Sequence, residues 1–355
     1  MSDAPPVLVR TVGHVGRITL NRPAALHSLN KEMCDLMLGA LLAWREDDNV
    51  SVILVDHAEG TRGFCAGGDI RLLAESGAGD GLAATDFFRA EYQLNTVIKN
   101  YPKPYIAILD GVTMGGGVGI SVHGSHRIVT ERTNFAMPET GIGLFPDVGG
   151  GWFLPRLEGE LGMWLALTGA RLKGSDVVAA GVGTHFVPAE LVGNLVSEIE
   201  RADFTLDSAD LLRSILSLRT KPVPAAGFEA YTDIIDECFS KDSVEAIVDC
   251  LSAREDDWSQ AQLKVLETKS PQTMKVAFRQ LREGAAFETF EDNMRNEFRI
   301  GWRQVRSADF QEGVRAVIID KDNKPVWPSE SLKNVSDEKI DEIFAPLGED
   351  ELGFV

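Results

Sequence analysis

The sequence is poor in cysteine and has no long apolar run. Four of its 355 residues are cysteines (Cys34, Cys65, Cys238 and Cys250), and no two of them form a C-x-x-C pair. This scarcity argues against a disulfide framework or a zinc site and favours reduced, buried thiols. No run of about 18 consecutive apolar residues occurs, so no transmembrane helix is predicted.

Basic residues are also scarce. Lys and Arg total 35 against 54 Asp and Glu, which gives a formal net charge of −19. Such a charge argues against nucleic acid or an anionic membrane as the main partner, although a small anion can still bind locally. The opening "MSDAPPVLVR" lacks the basic and apolar regions of a signal peptide, so we expect a cytoplasmic protein.

Several catalytic motifs are missing. The chain has no G-x-x-x-x-G-K-[ST] phosphate loop and no G-x-S-x-G nucleophile elbow. The glycines near position 115 do not form a G-x-G-x-x-G dinucleotide fingerprint. These absences disfavour a P-loop enzyme, a serine hydrolase of the α/β type and a dinucleotide-dependent enzyme.

What the chain does contain is a succession of strands, glycine turns and helices. Buried strands are predicted at "VSVILVDHA" and "KPYIAILDG", each followed by a Gly-rich turn that opens a helix. This order is typical of an α/β architecture. From about residue 206 the pattern becomes helical, so we predict a core over residues 1–205 and a helical region over 206–355. The Gly/Ala/Asp-rich stretch from Glu75 to Ala84 is predicted as a surface loop.

Two glycine turns, "CAGGDI" at 65–70 and "GGGVG" at 115–119, open equivalent helices. Glycine there could serve only a tight turn or close packing. Alternatively, bare backbone N–H groups at the start of a helix could form an oxyanion hole, which needs two converging donors. Two such turns in neighbouring units favour the second interpretation.

The stretch "FAMPETGIGLFPDVGGG" places two acids, Glu139 and Asp147, among apolar residues and glycines. Acids in such surroundings are usually paired, capping a helix or engaged in chemistry. Glu139 could cap the turn that follows Pro138, and Asp147 could be an Asx-turn residue. The residues alone leave these alternatives open.

Taken together, the motifs resemble the crotonase (enoyl-CoA hydratase/isomerase) superfamily. The matching segments are "ITLNRPAALHSLN", "GFCAGGDI", "KPYIAILDGVTMGGGVG" and "FAMPETGIGLFPDVGG". Further matches, including "FFRAEYQLN", "LALTGARLKGSDV" and "FQEGVRAVIIDKDNKPVW", resemble the 3-hydroxyisobutyryl-CoA hydrolase branch. The resemblance implies a crotonase (ClpP-like) spiral of ββα units with a helical C-terminal region.

The resemblance also implies roles for individual residues. The backbone N–H groups of Gly68 and Gly116 would hold the thioester oxygen of an acyl-CoA substrate. Glu139 would act as base or nucleophile, and Asp147 and Glu91 would orient the substrate and water. Asp69 is expected to cap the helix after the first glycine turn. The resemblance further implies that the substrate contacts Asp69 and also Leu26, His27, Ala66 and Ile70.

One departure from the family pattern separates its branches. Hydratases of the superfamily place a second catalytic Glu three residues after the oxyanion glycine, and this sequence has Gly119 there. The departure favours thioester hydrolysis, and the branch implies conversion of 3-hydroxyisobutyryl-CoA to 3-hydroxyisobutyrate in valine degradation.

Two other functions remain open at this stage: hydration or isomerisation of an enoyl-CoA, and binding of CoA thioesters without catalysis. No cofactor is expected, because coenzyme A is part of the substrate. Many members of the superfamily form trimers or dimers of trimers, so the resemblance implies a homo-oligomer.

Overall fold

The computed structural model describes residues 4–205 and 208–355. Hydrophobic runs with β-branched residues form strands, and amphipathic runs form helices. The strands in these ranges are β1 (Val7–Val12), β2 (Val15–Leu20), β3 (Val52–His57), β4 (Gly63–Cys65), β5 (Tyr105–Leu109), β6 (Val112–Met114), β7 (His126–Val129), β8 (Asn134–Ala136), β9 (Leu172–Lys173) and β10 (His185–Phe186).

The helices carry most of the second half of the chain, as predicted. Those before residue 205 are α1 (Lys31–Arg45), α2 (Ile70–Gly77), α3 (Leu82–Lys99), α4 (Gly116–Val122), α5 (Gly150–Phe153), α6 (Leu161–Thr168), α7 (Asp176–Ala179) and α8 (Ala189–Arg201). Those after it are α9 (Ser208–Arg219), α10 (Thr232–Phe239), α11 (Val244–Ser252), α12 (Asp257–Leu266), α13 (Pro271–Gly284), α14 (Phe290–Gln304), α15 (Ala308–Val314) and α16 (Asp337–Phe344). Within the described ranges, no helix combines the length and apolar character needed to span a bilayer.

The chain divides into two compact units that do not follow its linear order. Unit 1 comprises Met1–Gly68, Gln93–Phe135 and Leu172–Gly227, and unit 2 comprises Asp69–Tyr92, Ala136–Arg171 and Phe228–Val355. The predicted domain boundary, after residue 205, falls on residues 206 and 207, which lie outside the described residues.

Unit 1 contains two sheets. The larger has the order β1-β2-β3-β5-β7-β10, in which β1 and β2 are antiparallel and each later pair is parallel. The smaller has the order β4-β6-β8-β9. One face of the larger sheet packs on α8 and α9 through buried aliphatic side chains such as Leu54, Ile106 and Leu195. The two glycine turns follow strands of the smaller sheet, β4 and β6.

Unit 2 is mainly helical. Polar caps define where its helices begin: the Ser270 side chain accepts a hydrogen bond from the backbone N–H of Thr273 at the start of α13, and Thr289 does the same for Asp292 at the start of α14. At the end of α13, a Cβ on Gly284 would lie only 1.9 Å from the carbonyl oxygen of Gly151. The glycine therefore lets α13 approach the chain segment that follows Asp147.

Two expectations from the sequence are wrong. The four cysteines are not all reduced, because Cys238 of α10 and Cys250 of α11 form a disulfide with their Cα atoms 5.4 Å apart. The two helices are consecutive and packed together, which brings cysteines 12 residues apart into contact without a C-x-x-C spacing. Cys34 and Cys65 are buried thiols, as predicted.

The stretch from Glu75 to Ala84 is also not a loop throughout. Helix α2 continues to Gly77 and α3 begins at Leu82. Gly77 is buried, and a Cβ there would lie 1.9 Å from the carbonyl oxygen of Val305. Its small size therefore serves close packing and not flexibility.

Gly117 offers a direct test of the packing that supports the second glycine turn. A Cβ at this position would lie 2.5 Å from the carbonyl oxygen of Cys65, so Gly117→Ala should lower the free energy of unfolding by about 2 kcal/mol or more. Gly39 lies on the exposed side of α1 with nothing within 4 Å of a Cβ, so Gly39→Ala should raise it by about 0.5–1 kcal/mol. Urea denaturation of both variants measures the difference, and equal stabilities would contradict the packing argument.

Candidate functional site

The two glycine turns lie side by side in unit 1. They follow the parallel strands β4 and β6, which pair Gly63 with Val112 and Cys65 with Thr113. A Cβ on Gly67 would lie 3.9 Å from the amide nitrogen of Gly116, which shows how closely the turns approach each other. Neighbouring parallel strands have thus brought together the two predicted oxyanion donors.

Both predicted donors are available for a ligand. Gly116 is the first residue of α4, where an N–H group has no partner within the helix. Around Gly68, the amide of Ala66 donates to Leu26 and the carbonyl of Gly67 accepts from Leu29. Within the described residues, no acceptor takes the amide hydrogen of Gly68 or Gly116.

The segment that precedes α1 is joined to the first glycine turn. Leu26 and His27 have left-handed backbone conformations, with φ of 46° and 58°. The His27 ring is fully buried, accepting a hydrogen bond from the amide of Arg22 and contacting Thr61 Oγ1 at 3.0 Å. Burial lowers the pKa of His27 to about 4, so its ring is neutral at pH 7. The ring shapes the loop, and a contact of Leu26 or His27 with substrate stays a prediction.

Asp69 and Ile70 lie at the start of α2, in unit 2. The Asp69 side chain accepts a hydrogen bond from the amide of Leu72, so it caps the helix as predicted. A carboxylate at this position also interacts favourably with the positive end of the helix dipole. Contacts of Asp69 and Ile70 with substrate stay predictions.

Arg22 and Lys103, two basic residues of unit 1, hydrogen-bond to the chain's own backbone. The Arg22 guanidinium donates to the carbonyl oxygen of Ser28 at 2.9 Å. Lys103 Nζ donates to the carbonyl oxygens of Trp44 and Asp47, at 2.5 and 2.8 Å, where α1 ends. Lys103 therefore contributes to ending α1.

The three predicted acids lie together in unit 2. Glu91 is 2% exposed, and Glu139 and Asp147 are each 5% exposed. Helix α3, a short 3-10 turn over Glu139–Ile142 and the loop before α5 supply them. Burial raises the pKa of both Glu91 and Glu139, and the charge of Asp147 raises it further.

Asp147 has a defined partner. The hydroxyl of Tyr92 donates a hydrogen bond to Asp147 Oδ2 at 2.9 Å, and the Tyr92 ring packs against Phe88 and Phe298. Burial raises the pKa of Asp147 to about 7, although the Tyr92 hydrogen bond acts in the opposite direction. The carboxyl group therefore changes its charge near neutral pH.

Glu139 does not cap a helix. Pro138 occupies the cap position, and no side-chain hydrogen bond is made there. Glu139 Oε2 is buried and has no hydrogen-bond partner within the described residues. Burial, and secondarily the charge of Asp147, raise the pKa of Glu139 well above its ordinary value, while Lys269 lowers it. A buried acid with an unoccupied oxygen can exchange a proton with a bound reactant.

Glu91 has a similar environment. Its Oε1 is also buried without a hydrogen-bond partner within the described residues. Burial is the largest cause that raises its pKa, followed by the charges of Asp147 and Glu297. Like Glu139, it retains capacity to bind a polar group. No set of three His, Cys, Asp or Glu side chains in the described part of the chain is arranged to hold a metal ion.

Glu297, on α14, is a fourth buried acid that the sequence reasoning missed. It is fully buried, and its carboxylate accepts hydrogen bonds from the amides of Gly149 and Gly151 at 2.7 and 2.9 Å. A signal was present in the sequence, because Glu297 lies beside Met294 and Phe298 on the apolar face of an amphipathic helix. An acid on such a face indicates a specific partner.

Comparisons with known proteins show which family this chain resembles. A family model described as enoyl-CoA hydratase/isomerase matches residues 15–344. The mitochondrial 3-hydroxyisobutyryl-CoA hydrolase of Xenopus tropicalis is 46% identical over 352 residues, which cover 97% of this chain and 90% of the relative.

Solved structures are similar over the same extent. A carnitinyl-CoA dehydratase from Mycobacterium thermoresistibile has a TM-score of 0.92 at 37% identity and covers 99% of each chain. An enoyl-CoA hydratase from Rhodobacter sphaeroides has a TM-score of 0.88 at 38% identity, over 98% of this chain and 100% of its own. These similarities confirm the predicted α/β fold with a helical C-terminal region.

The predicted cytoplasmic location is wrong by comparison with the curated relatives, which are mitochondrial.

The raised pKa of Asp147 has a consequence for stability. Its ordinary value is 3.8 and its value in the folded chain is about 7, so between these pH values the folded state holds a proton that the unfolded state releases. Stability from this group is therefore lost as pH rises from about 4 to about 7. Asp147→Asn removes the titrating group, so the variant does not undergo this loss of stability. The free energy of unfolding of Asp147→Asn minus that of the parent should therefore increase as pH rises from about 4 to about 7, by up to about 4 kcal/mol.

Urea denaturation of the parent and of Asp147→Asn, across this pH range, measures the effect. The exposed Asp233→Asn serves as the control and should show no such trend. If the free energies of unfolding of the parent and of Asp147→Asn differ by the same amount at every pH, the raised pKa of Asp147 is contradicted.

Proposed function

The chain belongs to the enoyl-CoA hydratase/isomerase (crotonase) family, and on that premise we propose that it hydrolyses 3-hydroxyisobutyryl-CoA to 3-hydroxyisobutyrate and coenzyme A. The observation that carries the proposal is Glu139, a buried acid with one oxygen unoccupied within the described residues. Support also comes from curated relatives with this name, which are 43–46% identical over nearly the whole chain.

The proposed chemistry begins with polarisation of the thioester. The carbonyl oxygen accepts hydrogen bonds from the amides of Gly68 and Gly116, which stabilise the negative charge that develops as the carbonyl carbon is attacked. Loss of one such donor typically costs a few kcal/mol of barrier. Backbone amides suit this role because they are fixed before the substrate arrives and need no reorganisation.

Glu139 then supplies the attack, by one of two routes. It either removes a proton from the water that attacks the carbonyl carbon, or attacks that carbon itself to give a mixed anhydride that water later hydrolyses. In both routes the C–S bond breaks, the coenzyme A thiolate leaves and takes up a proton, and water supplies the oxygen of the new carboxyl group. Both routes require the ionised form of Glu139.

Asp147 and Glu91 orient the reactants in this proposal. The 3-hydroxyl group of the substrate and the attacking water both need acceptors, and these two buried acids offer them. Coenzyme A enters as part of the substrate, so the proposal uses no separate cofactor. The branched four-carbon acyl group matches the carbon skeleton left from valine, so we place the reaction in valine degradation.

We also propose that the protein assembles as a trimer or hexamer.

Hydration of an enoyl-CoA is the second candidate, and the names of the two similar solved structures favour it. Gly119 counts against it, because this buried position in α4 carries no carboxyl group to act as the second acid of a hydratase. Measuring crotonyl-CoA hydration beside thiol release from 3-hydroxyisobutyryl-CoA separates the two. A protein that binds CoA thioesters without turnover would show neither reaction.

Glu139→Gln tests the assignment of the base or nucleophile. We expect it to slow thiol release from 3-hydroxyisobutyryl-CoA by at least about 100-fold, because the amide neither accepts a proton at neutral pH nor attacks the carbonyl. Binding of the thioester, measured by calorimetry, should be retained. The exposed Glu158→Gln is the matched control. Hydrolysis by Glu139→Gln at near-parental rates would rule out this role.

The pH dependence of turnover tests the influence of Lys269. Since Glu139 must be ionised, kcat/KM should rise with pH through the raised pKa of this carboxyl. The Lys269 cation lowers that pKa, so Lys269→Met should move the rise to higher pH. Lys264→Met removes the same charge at an exposed position of α12 and should leave the profile in place. Identical profiles for all three proteins would show that Lys269 has no such influence.

A further inference from the structure

Glu297 holds the backbone that follows Asp147. Its Oε2 accepts from the amide of Gly149 at 2.7 Å, and its Oε1 accepts from the amide of Gly151 at 2.9 Å. One side chain, 146 residues away in sequence, thus binds two backbone groups of the same turn.

Two further side chains orient the Glu297 carboxylate. Asn293 Nδ2, one turn earlier on α14, donates to Oε1 at 2.9 Å, and Gln280 Nε2 of α13 donates to it at 3.2 Å. Gln280 Nε2 also donates to the carbonyl oxygen of Pro146 at 2.8 Å. The network therefore holds the backbone on both sides of Asp147.

The segment held in this way has an unusual backbone. Val148 has φ of 53° and Gly149 has φ of 87°, both in the left-handed region. A β-branched residue rarely adopts this conformation, which costs about 1–3 kcal/mol and persists only where the surroundings enforce it. Because Val148 directly follows Asp147, relaxation of this turn would redirect the Asp147 carboxyl group.

Close packing leaves the turn little room to adopt another conformation. A Cβ on Gly151 would lie 2.6 Å from Asn293 Oδ1, and one on Gly284 would lie 1.9 Å from the carbonyl oxygen of Gly151. The turn is therefore in direct contact with both helices, α13 and α14. Glu297 supplies the hydrogen bonds that select one conformation inside this limited space.

We propose that Glu297 is a positioning residue, which acts through Asp147 by fixing the Val148–Gly151 turn that aims the Asp147 carboxyl group. This inference rests on the proposed function for the reaction it serves. The hydrogen bonds of Glu297 join it to the turn after Asp147 and to the two side chains that orient it, so we expect its effect on turnover to pass through the orientation of Asp147.

Glu297→Gln tests the proposal, because the amide keeps the shape but turns an –NH2 group toward a backbone N–H. We expect kcat for thiol release to fall about tenfold or more, with KM changed by no more than about threefold. If Glu297 acts through Asp147, the double variant Glu297→Gln/Asp147→Asn should be no more than about threefold slower than Asp147→Asn alone. Losses that multiply in the double variant would overturn the proposal.

A buried control separates positioning from general destabilisation. Gln304 lies on the same helix, is fully buried, and accepts from Gln272 at 2.8 Å instead of contacting the turn. Gln304→Met, at comparable loss of thermal stability, should leave kcat near the parental value. An equal fall in kcat would mean that Glu297→Gln acts only by weakening the fold. If Glu297→Gln fails to fold, Gln280→Met, which removes one donor from the network, replaces it in the comparison of single and double variants with Asp147→Asn.

Hydrogen exchange gives a result that does not depend on turnover. The amides of Gly149 and Gly151 should exchange about tenfold faster or more in Glu297→Gln and at the parental rate in Gln304→Met. Unchanged exchange in Glu297→Gln would overturn the claim that Glu297 holds the turn. A parent protein that releases no thiol from the substrate would instead contradict the proposed function, so the two failures are distinguishable.

Discussion

Burial deprives a carboxyl group of its hydrogen bonds with water, and the acids of unit 2 meet this constraint to different extents. Glu297 replaces those bonds with two backbone amides and two side-chain amides. Glu139 and Glu91 do not, since each keeps a buried oxygen without a partner within the described residues. Glu297, with its hydrogen-bonding capacity filled, holds the backbone of the turn, whereas Glu139 and Glu91 retain capacity to bind a ligand.

The same constraint explains why these acids differ although burial raises the pKa of each one. Four donors compensate the charge of Glu297, and burial still raises its pKa to about 8. Asp147 has one strong donor, the Tyr92 hydroxyl. The carboxyl group of Glu139 accepts a hydrogen bond from its own backbone amide, and the Lys269 cation favours its charged form to a smaller extent. These differences in donors and charges give the neighbouring acids different pKa values.

Sequence reasoning succeeded where the information is local. A glycine turn that opens a helix and an Asp before a helix are short-range patterns, and β3, β5, α4 and the Asp69 cap appear where they were predicted, whereas the short strands β4 and β6 were not predicted. Glu297 was missed because its partners lie about 150 residues away and only the tertiary fold joins them. The Cys238–Cys250 disulfide joins residues only 12 apart, but it was missed because it depends on how two consecutive helices pack.

The adjacency of the two glycine turns determines how this chain tolerates mutation. Its two candidate donors are main-chain groups, which follow the paired strands β4 and β6 and do not depend on the reach of any side chain. No amino-acid exchange other than one to proline removes such a donor. If these amides polarise the carbonyl as proposed, side chains around the acyl group can diverge and alter the reaction while the two donors are inherited unchanged. The vulnerable positions are those, such as Gly117, where an added Cβ would push the turns apart.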